Sequence, residues 1–539
     1  MAKDNSNVVV YYCDAETISV TDEGTFLGDS AGFYYLSAEQ RSHEKAHSGK
    51  YSLLLDSNHH FGFGMTVTDV RPGEVFTIES WQSVDSNANP CELVAANEDN
   101  SFYHAENTII GKYGKWLLLR TQVYIPKDFE GEQLSFYVWN KKRITAYVDD
   151  FKVIRYHHQT NHGAFDLEKL YIEIKPEGLA HLSTIRDSAL VIGILKRGSD
   201  DYVPTQIIYQ GQKRKGKIRL KGDWTDHLQG DKWSFRIKLN GALKDGVEIF
   251  NIQAPHTRYF LSEYVYHKIL EKENLLTPEY RFVQVYINDV SYGIYAFEEH
   301  LSSRIIERAS KPNGIILKFE DKPYWDAMSI LKEGEIEGNV IAEADVKVYG
   351  KSKKDKACRQ DVKDAQLIME GYQKQDSAVY HSFNIDQMAK YYALCDITRA
   401  YHAMGWINIR FYYNFSNKLM EPIGYDAYTA EGDKGWASPY LGYAFNHEKY
   451  AKFETEAIVY DVFRHPAMYG LYDQYLNKFS DSLYIRQIMD ELESDLDFYE
   501  TQLQFEYPHY TYDREFLFAN ARSIKESVAA APKKSGVID

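Results

Sequence analysis

Short runs in which apolar and polar positions alternate recur along residues 7–157: YSLLLD, VFTIESWQSV, WLLLRTQVYI, LSFYVWN and AYVDDFKVIRY. Successive side chains on a strand point to opposite faces, so a period of two marks half-buried strands. Many such strands with turn residues between them predict an all-β jelly-roll sandwich over 7–157. The polar stretch HHQTNHGAF then reads as a boundary. From 165 to about 325 strands still dominate, but RYFLSEYVYHKILEKENL (258–275) has helical spacing. Residues 326–375 are charged and lysine-rich, and predict an insertion with a short helix over 361–373. IDQMAKYYALCDITRAYH predicts a further helix with Asp386 as its cap. Next comes NIRFYYNFSNKLMEPIGYDAY (408–428), a strand, a turn and a second strand, with Asn408 at one base and Asp426 at the other. Residues 455–528 predict helices, so the second domain, 165–528, is expected to be α+β.

At 539 residues the chain is too long for one core, which agrees with this division. Its net charge of −16 argues against a nucleic-acid footprint. The basic runs KRKGK (213–217) and KSKKDK (351–356) accordingly read as solvated loops. Cys13, Cys91, Cys358 and Cys395 show no CxxC and no metal-ligand spacing, so no disulfide scaffold is expected. Cys395 lies in an apolar run and is expected to be buried. No stretch of 18 apolar residues exists, which predicts no membrane-spanning helix. The opening MAKDNSNVVV lacks a signal-peptide core, and AAAPKKSGVID at the end reads as a linker. The expectation is a secreted or cell-surface protein whose leader lies outside this sequence, with a cytoplasmic location as the alternative.

In the first domain the ordered pieces AHSGKYSLLL, VRPGEVFTIESWQ, YGKWLLLRTQVYIP and ITAYVDDFKVIRY resemble the jelly-roll carbohydrate-binding-module superfamily. The resemblance implies a structural calcium held by Asp150, with Glu16 from the first strand; the plain alternative is that the Asp pair ends a hairpin. It also implies a glycan partner, with Trp81, Trp116 or Trp139 stacked on sugar rings, although each is equally at home in a core.

Three segments of the second domain carry chemistry. KIRLKGDWTDHLQGDKWSFRIKL (217–239) is a strand, a loop bearing Gly222, and a strand on which Arg236 and Lys238 share a face. Glycine lets backbone amides approach phosphate and strand-borne cations bridge phosphates, but an exposed strand looks the same. FVQVYINDVSYGIYAFEEHLSSRIIE (282–307) places Glu298 and Glu299 in the first turn of a helix, either fixing a phosphate-binding cation or favouring the helix N-terminus. GIILKFE (314–320) adds Lys318. Asn408 and Asp426 offer the amide and carboxylate that Mg²⁺ takes when phosphates and water fill its other positions. Asp396 upstream is a general-base candidate, or a polar residue on a helix face.

In order along the chain, LKGDWTDHLQGDKWSFRIKL, VYINDVSYGIYAFEEHL and LCDITRAYHAMGWINIRFYYNFSNKLMEPIGYD resemble the CotH kinase family, the spore-coat protein kinases and their relatives with an atypical kinase fold. The resemblance implies Asp426 as the metal-binding Asp, Asn408 as the second metal ligand and Asp396 as the catalytic Asp. It implies Glu299 as the family's acidic residue, and phosphate cations from the Arg236/Lys238 strand with Lys232 before it. The chain departs from the pattern at Tyr428, where a second Asp would stand, and at Lys232-Trp233-Ser234, where Lys-Lys-Ser is common. The segment from Asp396 to Asn408 is also longer. The implied activity is an ATP- and Mg²⁺- (or Mn²⁺-) dependent kinase transferring the γ-phosphate to a hydroxyl on a protein. Alternatives are a glycan-binding protein with an inactive kinase-like domain, and transfer of another group such as AMP.

Overall fold

Along the strand Gln133–Asn140, Leu134, Phe136 and Val138 are buried while Ser135, Tyr137 and Trp139 are half-buried, so the alternation read from the sequence becomes an inner and an outer face. The structure is a computed structural model. It describes all residues except 1–7, 22–23, 30–31, 73, 85–89, 108, 114, 126–128, 157–164, 199, 229–231, 329–343, 350–355, 431–453, 508–509 and 531–539. The chain separates into Met1–Gly163 and Ala164–Asp539. Most of HHQTNHGAF and KSKKDK, and most of the C-terminal tail, lie outside the described residues.

The first unit is a jelly-roll sandwich of two seven-stranded antiparallel sheets. In one, Trp116–Tyr124, Val75–Ser83 and Ala146–Tyr156 lie side by side; in the other, Cys91–Ala96, Gln133–Asn140 and Phe61–Thr68 do. Phe76 and Phe151 of the first sheet meet Phe136 and Phe63 of the second, with ring centroids 4.8 and 5.7 Å apart. All four cysteines are buried and none forms a disulfide.

Asp150 and Glu16, expected as calcium ligands, are instead engaged by protein donors. Asp150 Oδ1 accepts from Tyr12 Oη (2.5 Å) and Ser48 Oγ (2.6 Å), and its Oδ2 lies 2.6 Å from His47 Nδ1. Glu16 Oε1 accepts from the backbone of Lys50 (2.6 Å) and Tyr51 (2.7 Å). The carbonyls of Ala15 and Glu16 accept from Arg41 at 2.7 and 2.8 Å. Trp81 is stacked on His47 at 3.9 Å and Trp116 is buried, whereas Trp139 is half-buried on the outer face of the second sheet.

In the second unit, seven strands from Lys169–Ile174 to Val290–Glu299 form a closed barrel, sealed by parallel pairing of Lys169–Ile174 with Tyr280–Ile287. KRKGK lies within its strand Gln212–Leu220, not in a loop, because its three exposed lysines alternate with the half-buried Arg214 and Gly216. A four-stranded sheet follows, in the order Val346–Tyr349, Gly314–Phe319, Phe411–Asn414, Leu419–Pro422. The hairpin Phe411–Pro422 is as the sequence implies, with Asn408 and Asp426 just beyond its two ends. Helices Leu261–Lys272, Arg359–Gln373, Ile385–Thr398, Met468–Phe479, Ser482–Gln504 and Phe516–Ala530 pack around these sheets. Asn384, not Asp386, caps Ile385–Thr398, accepting from Gln387 N at 3.3 Å; Asp386 instead accepts from Tyr475 Oη at 2.7 Å. No helix among the described residues is long and apolar enough to cross a membrane.

Because protein donors occupy Asp150 and Glu16, millimolar calcium is expected to leave the melting temperature of the protein unchanged. Asp150→Ala is expected to destabilise the sandwich by about 1–3 kcal/mol, since Tyr12, Ser48 and His47 lose their acceptor. Calorimetry with and without calcium checks both, and a clear calcium-dependent rise would contradict the assignment.

Candidate functional site

One row of side chains crosses four barrel strands: Arg219 is directly opposite Arg236, Arg236 opposite Asn251, and Asn251 opposite Glu298. Asn251 passes the row on, accepting from Arg236 Nε at 2.9 Å and donating to Glu298 Oε2 at 2.7 Å. Lys221, one residue past its strand, donates to Gln253 and lies 3.4 Å from the fully buried Glu298. Burial pulls the Lys221 ammonium below its ordinary range, and Glu298 offsets part of that. Gly222 follows at φ +111, with the side chain of His227 packed where a Cβ would project, so only glycine fits.

Of these residues, Arg219, Lys221, Gly222, His227 and Arg236 line one wall of a cleft of about 340 Å³. The facing side comes from the hairpin bases and the four-stranded sheet, through Asn408, Arg410, Asp426 and Lys318. Nine Lys and Arg side chains and five carboxylates line it, an excess of positive charge within an acidic protein. Lys318 is held by Asp321 at 2.5 Å, and burial lowers its ammonium to about 8.

Asp426 sits at φ +56, buried, with Oδ1 2.5 Å from Arg258 Nε and 3.8 Å from His402 Nε2. Burial works to raise its carboxyl, but Arg258, His402 and Lys221 outweigh it and hold Asp426 ionised. The left-handed turn is fastened from behind by Glu263 on helix Leu261–Lys272. This fully buried carboxylate accepts from Ala427 N at 3.0 Å and Tyr428 N at 3.0 Å, and His267 lies 3.1 Å away. Asn408 donates through Nδ2 to the His402 carbonyl at 3.0 Å, which leaves its Oδ1 as the oxygen for a ligand. Burial lowers the His402 imidazole below its ordinary value, with Asp426 offsetting part of that effect.

The structure therefore brings together Gly222, Arg236, Lys318, Asn408 and Asp426. It does not bring in four others. Lys232 donates to the Ile294 carbonyl (2.6 Å) and pairs with Glu506 (2.6 Å). Lys238 is exposed on the barrel surface. Glu299 ends a strand, not the first turn of a helix, and is tied to Arg304 at 2.8 Å; the helix is Ser303–Arg308, capped by Ser302. The side-chain direction flips at each strand residue, so Glu298 joins Asn251 and Lys221 behind the cleft wall and Glu299 does not. Asp396 is buried with its oxygens on Tyr401 Oη (3.0 Å) and Tyr472 Oη (2.5 Å), outside the cleft lining.

Sequence reasoning missed Lys221, Arg258, Glu263 and His402. Lys221 stands beside Gly222 in the quoted motif and carried its signal; the other three carry none before the fold is known. Tyr428, where a second Asp was expected, donates to the Thr398 carbonyl and is structural. Among the described residues no group of three or more His, Cys, Asp or Glu could hold a metal. A Mg²⁺ ion that bridges phosphates needs fewer, and the ionised Asp426 with the Asn408 amide oxygen fits that donor set.

A protein-family profile described as CotH kinase protein matches residues 218–526, more than half of the chain. No curated protein matches it. Among solved structures, the chain is similar to the CBM22-1 xylan-binding domain of Paenibacillus barcinonensis Xyn10C, at 16% identity over 28% of this chain and 94% of that one, TM-score 0.19. It is likewise similar to a xylan-binding domain from CBM 22, at 18% identity over 29% of this chain and 99% of that one, TM-score 0.20.

Removing the Glu263 carboxylate strands two buried backbone N–H groups. Glu263→Ala is thus expected to destabilise the protein by about 2–4 kcal/mol, and Glu263→Gln by less, because one acceptor remains. Urea unfolding checks this; unchanged midpoints in both variants would show that Glu263 does not fasten the turn.

Proposed function

The chain belongs to the CotH kinase protein family, and from that premise we propose that it is an ATP- and Mg²⁺-dependent kinase transferring the γ-phosphate to a hydroxyl on a protein. The observation that carries the reading is that Lys221, held by the buried Glu298, and the Arg258-held Asp426 face one cleft. Phosphoryl transfer asks little covalent chemistry of a protein; it asks for positioning and neutralised charge.

Lys221, held by Glu298 and Gln253, and Arg236, held by Asn251, bind the phosphates. Asn408 and Asp426 would hold Mg²⁺ (or Mn²⁺), which when bound offsets the phosphate charge. Arg258 and Glu263 keep Asp426 ionised and its turn in place. His402 accepts the proton of the attacking hydroxyl as the new O–P bond forms and the bond to the ADP oxygen breaks. It replaces Asp396 in this role, since the oxygens of Asp396 are taken by tyrosines while His402 lines the cleft.

A second binding function rests on a separate observation in the first unit. Phe61 (46% exposed) and Tyr103 (50% exposed) stand on the same outer sheet as Tyr137 and Trp139, and Trp139 is the cross-strand partner of Phe61. Glu92 and Lys141, paired at 2.9 Å, edge these rings. Aromatic faces flanked by hydrogen-bonding groups suit the apolar faces and hydroxyls of a glycan. Such a platform fits a secreted or cell-surface protein.

Incubation with γ-labelled ATP and Mg²⁺ or Mn²⁺, with mass spectrometry of the product, tests the kinase reading and separates phosphate from AMP transfer. Asp426→Ala is expected to abolish metal-dependent ATP binding in a folded protein. His402→Gln is expected to keep ATP affinity and to lower transfer by about two to four orders of magnitude. Full transfer by His402→Gln would remove the histidine from the mechanism, and unchanged ATP binding by Asp426→Ala would overturn the site. For the platform, Tyr137→Ala with Trp139→Ala is expected to abolish retardation in xylan-containing or other polysaccharide gels that retard the parent protein. Equal retardation of both proteins would place any glycan site elsewhere.

A further inference from the structure

Arg219 and Arg236 face each other directly across two barrel strands, an arrangement that disfavours a sheet unless something anionic compensates it. Neither makes an ion pair among the described residues. Arg219 Nη1 donates to the Leu220 carbonyl at 2.7 Å, and Arg236 Nε to the Asn251 amide at 2.9 Å. Across the cleft stands Arg410, only 7% exposed. Its Nη1 donates to the carbonyls of Ile407 (2.7 Å) and Ile409 (2.9 Å), while its Nε is buried without a hydrogen-bond partner. It too lacks a carboxylate partner among the described residues.

Most of the nearby acids are already committed to other cations: Asp223 to Arg197, Glu320 to Lys347 and Asp426 to Arg258, while Asp226 lies toward Arg258 and Lys221. Asp321 holds Lys318 at 2.5 Å and Arg197 at 3.7 Å, and Glu298 belongs to Lys221 and Asn251. These cations converge: the imidazole of His300 is lowered well below its ordinary value by burial and then by Arg236, Arg219, Arg410 and Lys318. A half-buried guanidinium without a counterion is costly, so three around one space point to a ligand that supplies the negative charge. Lys221, Arg236 and one divalent ion already oppose the nucleotide's phosphates, and Arg219 and Arg410 are surplus to that task. Planar guanidinium groups bind carboxylate and phosphate in the same bidentate way.

We propose that Arg219 and Arg410, flanking the phosphate-binding Arg236, form the acceptor subsite, and that the acceptor is an acidic polypeptide segment with a carboxylate or phosphate group beside the hydroxyl that is modified. This rests on the kinase reading above. The surplus arginines recognise the flanking anion and so place the hydroxyl toward His402.

The test uses the full chain and four peptides that differ only in the residues flanking one serine: glutamate, phosphoserine, alanine or lysine. The glutamate or the phosphoserine peptide, which separate the two anion sources, is expected to exceed the alanine peptide at least tenfold in kcat/KM, with lysine lowest. Arg219→Gln is expected to raise KM for the preferred peptide about tenfold while KM for ATP stays within about twofold. Equal use of all four peptides overturns the proposal, as does a KM for ATP that rises in step with that for peptide. Peptide binding without nucleotide keeps the two readings distinguishable. Anion-selective binding that Arg219→Gln abolishes supports the subsite even if no phosphate is transferred, an outcome that would retire only the kinase. Binding without charge selectivity overturns the subsite whatever the transfer assay shows.

Discussion

A carboxylate taken out of water needs a cation beside it, and in the cleft that requirement is met by Arg258 against Asp426 at 2.5 Å. Arg258 is itself buried, so neither charge is tolerable without the other. The pair accounts for several surrounding features. Asp426 stays ionised despite its burial. Its backbone adopts a left-handed turn at φ +56, which Glu263 fastens through the next two amides. A carboxylate secured in this way can face a metal without first being ordered by it.

The Lys221–Glu298 pair follows the same logic on the barrel side. Glu298 is fully buried, and Lys221 and Asn251 supply its compensation. Around these two neutralised pairs the cleft keeps an excess of arginine, in a chain whose net charge is −16. The contrast matters because an acidic protein as a whole repels the anions that this cleft concentrates. Family membership supplies the kinase premise, while His402 and Tyr428 mark where this chain's own residues set the details.

Local patterns carried much of this in the sequence. Period-two alternation marked the sandwich strands, and the 408–428 hairpin was legible because a polar turn separates an aromatic-rich strand from a second short apolar one, so Asn408 and Asp426 at its bases could be named. Choices that depend on one strand position were less legible. Glu298 and Glu299 are adjacent, and which of them supports Lys221 is set by barrel register, which pairs Glu298 with Asn251. Asp396 misled for another reason: its partners Tyr401 and Tyr472 include one from a helix 76 residues away, which no local pattern reveals. Arg258 and Glu263 were invisible because their roles exist only once their segment meets the turn at Asp426. In the sandwich, Asp150 and Glu16 were read as calcium ligands from a resemblance, but His47, Ser48, Lys50 and Tyr51 from one loop supply their partners.

The most direct test of the central claim is a crystal structure of the full chain with Mn²⁺ and a non-hydrolysable ATP analogue, read by the anomalous signal of manganese. The account predicts one peak within about 2.0–2.3 Å of an Asp426 carboxylate oxygen, with the Asn408 amide oxygen as its other protein ligand and the analogue's phosphates toward Lys221. A nucleotide bound away from Lys221, or a manganese peak with no contact to Asp426, would contradict it.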